Sequence, residues 1–270
     1  MLPGDGAGDP GRGGPRKTVL VVPCFNEAHR LRLNEFREYL RYSPEVSFLF
    51  VNDGSRDETA AVLRKFQAET GAQVDVLDYP ENRGKAEAVR RGMLHALSPD
   101  VRYVGFWDAD LATPLSAIDE FVSLLEDRPQ IQMVFGARVK LLGREIDRRV
   151  ARHYLGRIFA TCASMVLKLP VYDTQCGAKI FRVTNVLPKV LEEPFGSRWI
   201  FDVEIIARFV RAIGNRALAS ESIYEYPLRK WVDVAGSKVR PKDFVRAFLD
   251  LAAIWLKYGG VTRRRGRYSR

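Results

Sequence analysis

The chain has 270 residues, 46% of them hydrophobic, a composition that supports a large globular unit with a buried core and excludes a fibrous or wholly disordered protein. Its formal charge of +10 favours an anionic partner, whether phosphorylated substrate, acidic membrane face or nucleic acid, and no recognised nucleic-acid-binding motif argues for the last. Three cysteines, Cys24, Cys162 and Cys176, are too few and too far apart for a disulfide framework or a zinc site, which fits a reducing cytoplasm.

Residues 1–17, "MLPGDGAGDPGRGGPRK", are rich in Gly and Pro without an apolar signal segment, and are expected to form a disordered leader. "TVLVVP" at residues 18–23 is a nearly continuous apolar run, as in a parallel strand covered on both faces. "NEAHRLRLNEFREYLR" follows with helical spacing through Leu33, Phe36 and Leu40. "VSFLFVND" predicts a second buried strand, and Ser55-x-x-Glu58 predicts a capping box opening the next helix. "QVDVLDYP" with "GKAEAVRRGMLHAL", then "YVGFWDAD" with "PLSAIDEFVSLLED", repeat the alternation. Such a sequence predicts an α/β fold with a mostly parallel central sheet flanked by helices, and ligands bind beyond the carboxyl ends of its strands.

Polar residues cluster at those ends. Asn26 and Glu27 follow the first strand, Asn52 and Asp53 end the second, "NRGK" with Lys85 follows the third, and Asp108 and Asp110 end the fourth. Each alone is explained by a turn or helix cap, but their convergence on one sheet edge predicts a joint site. Asp108 and Asp110 offer two hard oxygen donors, suited to Mg²⁺ or Mn²⁺ against a diphosphate. Lys85 can offer a cation to a base or diphosphate, or be an exposed loop lysine.

The second half of the chain adds a basic run of Arg138, Lys140, Arg144, Arg148, Arg149, Arg152 and Arg157, followed by the apolar "IFATCASMVLKLPVY". Arg149 and Arg152 are spaced to share one helical face with His153 and Arg157 near it. Lys168 and Pro170 interrupt the apolar segment, which is too short to cross about 30 Å of hydrocarbon, so membrane contact is expected to be peripheral. Residues 241–260 read as an amphipathic helix and residues 261–270 as a basic tail, leaving residues 18–240 as the main domain. A helix docked on the domain would carry the same pattern.

"VVPCFNEA", "FVNDGSRDET", "ENRGKAEAVRRGM", "WDADLAT", "YDTQCGAKIF" and "RWIFDVEI" together resemble the family 2 glycosyltransferases of GT-A fold, which use nucleotide sugars and invert the anomeric centre. The wording is most similar to the dolichyl-phosphate or polyprenyl-phosphate β-glucosyltransferases, with the polyprenyl-phosphate mannosyltransferases next. Two departures stand out. The eukaryotic glucosyltransferases of this kind carry an N-terminal membrane anchor where this chain has a polar leader, and Ala112 stands where the mannosyltransferases can offer a Gln to the metal.

The resemblance implies that residues 18–240 are a catalytic domain for hexose transfer, with UDP-glucose the expected donor and GDP-mannose the alternative, to a polyprenyl or dolichyl phosphate at the cytoplasmic face of a membrane. It implies that Asp53 hydrogen-bonds the nucleotide, that Pro23, Asn26, Glu27 and Lys85 contribute to that pocket, and that Asp110 ligates Mg²⁺ or Mn²⁺ with Asp108 shared between metal and sugar. A lipid phosphate is ionised at neutral pH and needs cations more than a general base. Arg138, Arg149 and Arg152, with Asp173 beside them, are therefore the expected acceptor-phosphate residues. Asp202 in "FDVE" is expected to be the catalytic or acceptor-positioning carboxylate, with structural pairing to an arginine as its bland counterpart. Trp199 and Trp231 are expected in the core ahead of stacking on sugar. A hydroxyl acceptor of cell-wall or exopolysaccharide synthesis would instead make Asp202 a base, and an adaptor built on an inactive nucleotide fold is disfavoured by the intact Asp108-Ala109-Asp110.

Overall fold

A strand covered on both faces must send alternate side chains into two cores, and the first strand, β1 (Thr18–Cys24), does so. Val19 and Val21 enter one core while Leu20 and Val22 enter the other. The computed structural model describes residues 17–147, 150–233 and 241–259. After β1 come α1 (Leu33–Tyr42), β2 (Val46–Asp53), α2 (Thr59–Thr70), β3 (Val74–Tyr79), α3 (Lys85–Ala96), β4 (Tyr103–Trp107), α4 (Ala117–Asp127) and β5 (Met133–Ala137). The second half contains β6 (Glu145–Asp147), α5 (Val150–Leu167), β7 (Ala178–Arg182), α6 (Val186–Leu191), α7 (Phe201–Ile213), α8 (Arg216–Ser222), β8 (Ile223–Pro227), β9 (Lys230–Val232) and α9 (Pro241–Tyr258).

The main sheet has the order β3-β2-β1-β4-β7-β5-β8. β1 runs parallel to β2 and β4, β2 parallel to β3 and β5 parallel to β8, whereas β7 is antiparallel to both β4 and β5. β6 and β9 form a separate two-stranded parallel ribbon. One face of the main sheet is covered by α1, α2 and α4, where Phe36 meets Phe48 and Phe50 edge-on at 4.9 and 5.1 Å between ring centroids. The other carries α3, α5, α6, α7 and α9. This is the predicted helix-flanked, mostly parallel sheet.

Two local predictions are corrected. The helix expected from Asn26 starts only at Leu33, because Asn26 is left-handed (φ 53°) and the Glu27 carbonyl closes a separate turn by accepting from Arg30 and Leu31 N–H. The Ser55/Glu58 capping box does not form. Ser55 Oγ accepts instead from Asn26 N–H, and the Asp57 carboxylate accepts from Ala28 and Thr59 N–H, so the loops after β1 and β2 are tied to each other.

Backbone approach in the sheet depends on Gly105 in β4. A Cβ there would stand 2.1 Å from the Lys179 carbonyl oxygen of β7, a backbone atom that cannot rotate away. Gly105→Ala is therefore expected to destabilise the fold by about 1–3 kcal/mol, the usual cost of overpacking, with denaturant unfolding as the measurement. Wild-type stability in that variant would contradict this account of the β4–β7 contact.

Candidate active site

The carboxyl ends of β1, β2 and β4 and the amino end of α3 surround a pocket of about 360 Å³. Pro23, Glu27, Asp53, Lys85, Asp108 and Asp110 all line it. Four of these were expected at the nucleotide and two at the metal, and the topology brings them together because β1 lies between β2 and β4. Asn26 is not among them. Its side-chain oxygen accepts from Arg56 N–H, so its expected binding role is replaced by a loop-to-loop tie.

Asp53 is buried and turned to the chain itself. Its two oxygens accept from Arg83 and Gly84 N–H at 2.9 and 2.7 Å, which anchors the loop entering α3. Lys85 is the first residue of that helix, not a loop residue, and its Nζ lies 2.5 Å from Asp108 Oδ1. Asp108 Oδ1 thus faces the Lys85 ammonium directly. Burial works against the Lys85 cation, yet Asp108 and Asp202 raise its pKa above the ordinary lysine value.

Asp110 is held in a tight turn in which its Oδ1 accepts from Ala112 N–H, while Leu111 between them is left-handed (φ 52°). Burial, and next the charge of Asp108, raise the Asp110 pKa above the usual carboxylate range. Asp108 is placed by the loop before β7: its N–H donates to the Gly177 carbonyl, and a Cβ on Gly177 would lie 1.9 Å from its Oδ2.

A second cavity, about 370 Å³, shares Arg30, Lys85, Asp108 and Asp110 with the first. From there it runs past Arg138, Arg198, Trp199 and Asp202 to Gly156 and Phe159 of α5 and Ala247 of α9. Arg138, expected as the leading acceptor-phosphate ligand, lines this cavity but is already bound. Its Nε and Nη2 donate side-on to Asp173 at 2.5 and 2.7 Å, and Asp173 is itself buried. Burial lowers the Arg138 pKa, but Asp173 outweighs it and holds the guanidinium above its ordinary value. Asp173 is thus the partner of Arg138 and not an independent contact to an acceptor. Arg149 lies outside the described residues, as do residues 1–16 of the leader and the basic tail; Arg152 lies on α5 with its side chain outside the described part. Arg157 turns away from the cavity and stacks 3.6 Å over Tyr172.

Asp202 opens α7 and is paired, though with a lysine: Lys179 Nζ, fully buried on β7, donates to its Oδ1 at 2.5 Å and to the carbonyls of Thr174 and Cys176. The carboxylate expected to serve catalysis or to position the acceptor thus lines the larger cavity while paired to a lysine. Trp199 and Trp231 both line the larger cavity; Trp231 is buried as expected, 5.1 Å from the Arg138 guanidinium, whereas Trp199 is 41% exposed. Sequence reading missed Lys179 and Arg198; "AKIF" shows a lysine inside an apolar strand, a signal that such a residue is either paired or functional.

A family model described as glycosyl transferase family 2 matches residues 19–186. The chain belongs to that family. A dolichyl-phosphate beta-glucosyltransferase of Drosophila melanogaster is 32% identical over 254 residues, covering 88% of this chain and 74% of the relative. The enzyme of that name from Saccharomyces cerevisiae is 30% identical with the same coverage of both chains. Among solved structures, glucosyl-3-phosphoglycerate synthase from Mycobacterium tuberculosis, in complex with Mn²⁺ and UDP-glucose, superposes with a TM-score of 0.64 at 18% identity over 90% of this chain and 79% of that one. This family 2 glycosyltransferase therefore has the GT-A architecture expected from its motifs.

The site suits a divalent ion. Among the described residues no group of three or more His, Cys, Asp or Glu could hold a metal by itself. Mg²⁺ and Mn²⁺ at phosphates take only one or two protein carboxylates, and Asp108 and Asp110 line one pocket two residues apart, with Asp110 crowded by the like charge of Asp108. Asp108 and Asp110 would hold the ion, and it would supply charge neutralisation for a departing diphosphate.

Two outcomes follow. Gly177→Ala must rotate the Asp108 carboxylate but no backbone, so calorimetry is expected to show Mn²⁺–UDP binding weakened by about tenfold or more while melting stays near wild type. Lys179→Met leaves Asp202 buried and unpaired and is expected to cost about 3–5 kcal/mol in denaturant unfolding; Lys179→Met with Asp202→Leu should recover most of it. Equal losses in single and double variants would deny the pairing its role.

Proposed function

We propose that this glycosyltransferase transfers glucose, with inversion, from UDP-glucose to a polyprenyl or dolichyl phosphate. The observation that carries the reading is the larger cavity, which leads from the aspartate pair to an apolar end at Phe159 and Ala247, between α5 and α9. Its polar end is suited to a phosphate and its apolar end to the first carbons of a lipid tail. The relatives named as dolichyl-phosphate beta-glucosyltransferases support the same acceptor class.

In this reading Pro23, Glu27 and Lys85 line the nucleotide side, and Asp53 anchors the loop that leads into α3, whose first residue is Lys85. Asp110 is the direct metal ligand and Asp108 divides between metal and sugar. Asp202 orients the acceptor and does not take a proton, because a lipid phosphate is already ionised and because Lys179 already occupies one oxygen of the carboxylate. Breaking the anomeric bond leaves charge on the diphosphate, where Lys85 and the head of α3 are favourably placed to face it.

The reading includes peripheral attachment at the cytoplasmic face of a membrane. No helix among the described residues is long and apolar enough to cross one. α9 packs through Ala247, Leu251 and Ile254, while Leu249, Trp255 and Leu256 remain exposed, as do Ile158 and Met165 of α5. Phe248, in the same helix, touches the Phe159 ring at 6.1 Å, so this apolar surface reaches the cavity's apolar end. Aromatic and aliphatic side chains on one helix face are what an interfacial helix presents to lipid.

The test is transfer of labelled glucose from UDP-glucose to polyprenyl phosphate in detergent with Mn²⁺, with GDP-mannose in parallel. An acid-labile glucolipid is expected, reduced by about 10²-fold or more in Asp110→Ala, whose loss removes charge stabilisation at the leaving group. Preference for GDP-mannose would overturn the donor, and nucleotide-sugar binding without lipid labelling would overturn the acceptor.

A further inference from the structure

The larger cavity is lined by four cationic side chains, Arg30, Lys85, Arg138 and Arg198, and they differ in what they already hold. Lys85 is against Asp108 and Arg138 is locked to Asp173. Arg30 reaches Glu27 at 3.5 Å and also lines the nucleotide pocket. Arg198 forms no ion pair among the described residues and lines the larger cavity alone. A guanidinium in this cavity, uncommitted to a carboxylate, is the group an incoming anion would meet.

Its backbone is held firmly although its side chain is exposed. Gly196 and Ser197 N–H donate to Glu204 Oε2, and the buried Ser197 hydroxyl donates to Asp250 Oδ2 at 2.6 Å while accepting from Trp199 and Ile200 N–H. The Arg198 stem passes over Gly84, where a Cβ would stand 3.6 Å from its Cδ, so the guanidinium lies near the head of α3. That end of a helix carries partial positive charge. Trp199 next to it presents an exposed ring to the same cavity.

We propose that Arg198 receives the acceptor's phosphate and sets its approach to the anomeric carbon. This rests on the reading of the protein as a transferase to a lipid phosphate, and it moves the leading phosphate contact from Arg138 to Arg198. In the reaction so arranged, a lone pair on the acceptor phosphate oxygen forms the new bond to the anomeric carbon. The bond from that carbon to the nucleoside diphosphate breaks with its electrons, which stay on the diphosphate oxygen, and no proton is transferred.

The experiment titrates a short-chain prenyl phosphate into the full-length protein with UDP and Mn²⁺ by calorimetry, alongside kinetics with UDP-glucose. Arg198→Met is expected to weaken prenyl phosphate binding and raise the acceptor KM by about 10- to 100-fold, as for loss of a charge-assisted pair, with the Kd for UDP within about twofold. Arg198→Lys should recover part of the loss, because it keeps charge and gives up the planar fork. Unchanged prenyl phosphate affinity in Arg198→Met would overturn the assignment, as would a matching loss of UDP affinity, which would place the residue at the donor. Wild-type binding of prenyl phosphate without glucose transfer would overturn the reaction and leave the Arg198 comparison decisive for binding. Absence of binding by the wild type would overturn both.

Discussion

The antiparallel contact between β4 and β7 holds the site together. Gly105 and Gly177 have no side chains, so the two strands and the loop before β7 approach closely enough for Asp108 N–H to reach the Gly177 carbonyl. From the same strand Lys179 points into the core, passes the rings of Phe106 and Phe135 at 5.2 and 5.6 Å, and fastens the start of α7 through Asp202. A buried ion pair is costly to desolvate, and this one is sustained because two carbonyls satisfy the remaining ammonium protons. It also specifies register. A slip of one residue would turn Lys179 to the opposite face and bring Ile180 toward the carboxylate.

Pairing of charges, more than their number, describes the cavity. Four acids, Asp108, Asp110, Asp202 and Asp233, and four bases, Arg30, Lys85, Arg138 and Arg198, line it, so the protein's excess of +10 is not concentrated there. Counted alone, these charges cancel and predict no preference for an anion. Their partners leave that balance unchanged, since Asp173, outside the lining, neutralises Arg138, and Lys179, also outside it, neutralises Asp202; what the partners decide is which groups are already committed. Fixed partners preorganise the carboxylates and guanidinium groups, so little rearrangement is needed when charge moves in the reaction.

The parallel half of the sheet was legible because its signals are local. A buried strand is a short apolar run, and the strand ends were marked by Glu27, Asp53, Lys85 and Asp108 within a few residues of each run. The local pattern at Ser55 and Glu58 nevertheless misled, because the hydroxyl had a better partner across the loop in Asn26 N–H. The acceptor side was poorly legible for a different reason. Arg138 and Asp173 are 35 residues apart and Lys179 and Asp202 are 23 apart, so which carboxylate each cation meets depends on β7 inserting between β4 and β5. A row of arginines in sequence shows charge but not commitment. Arg198 was missed because it sits alone in "GSRWIF", without neighbours that would make a basic run.

The C-terminal helix reconciles two readings that its amphipathic sequence left open. One face of α9 is docked on α5 and α7, and the other is still apolar and exposed. Docking is not confined to greasy contacts. Asp250 accepts from the Ser197 hydroxyl, and the Tyr258 hydroxyl donates to Glu204 while accepting from Arg208 Nε, the two residues that fasten the segment from Val190 to Ser197. Glu204 is consumed in this network and is unavailable for chemistry, which separates it from its neighbour Asp202 in "FDVE". The segment bearing Arg198 and Trp199 is therefore fixed from two sides, by α7 beneath it and by α9 beside it. The apolar outer surface, the cavity's far end and the arginine at its polar side belong to one packed unit, so a change in how α9 docks would move all three together.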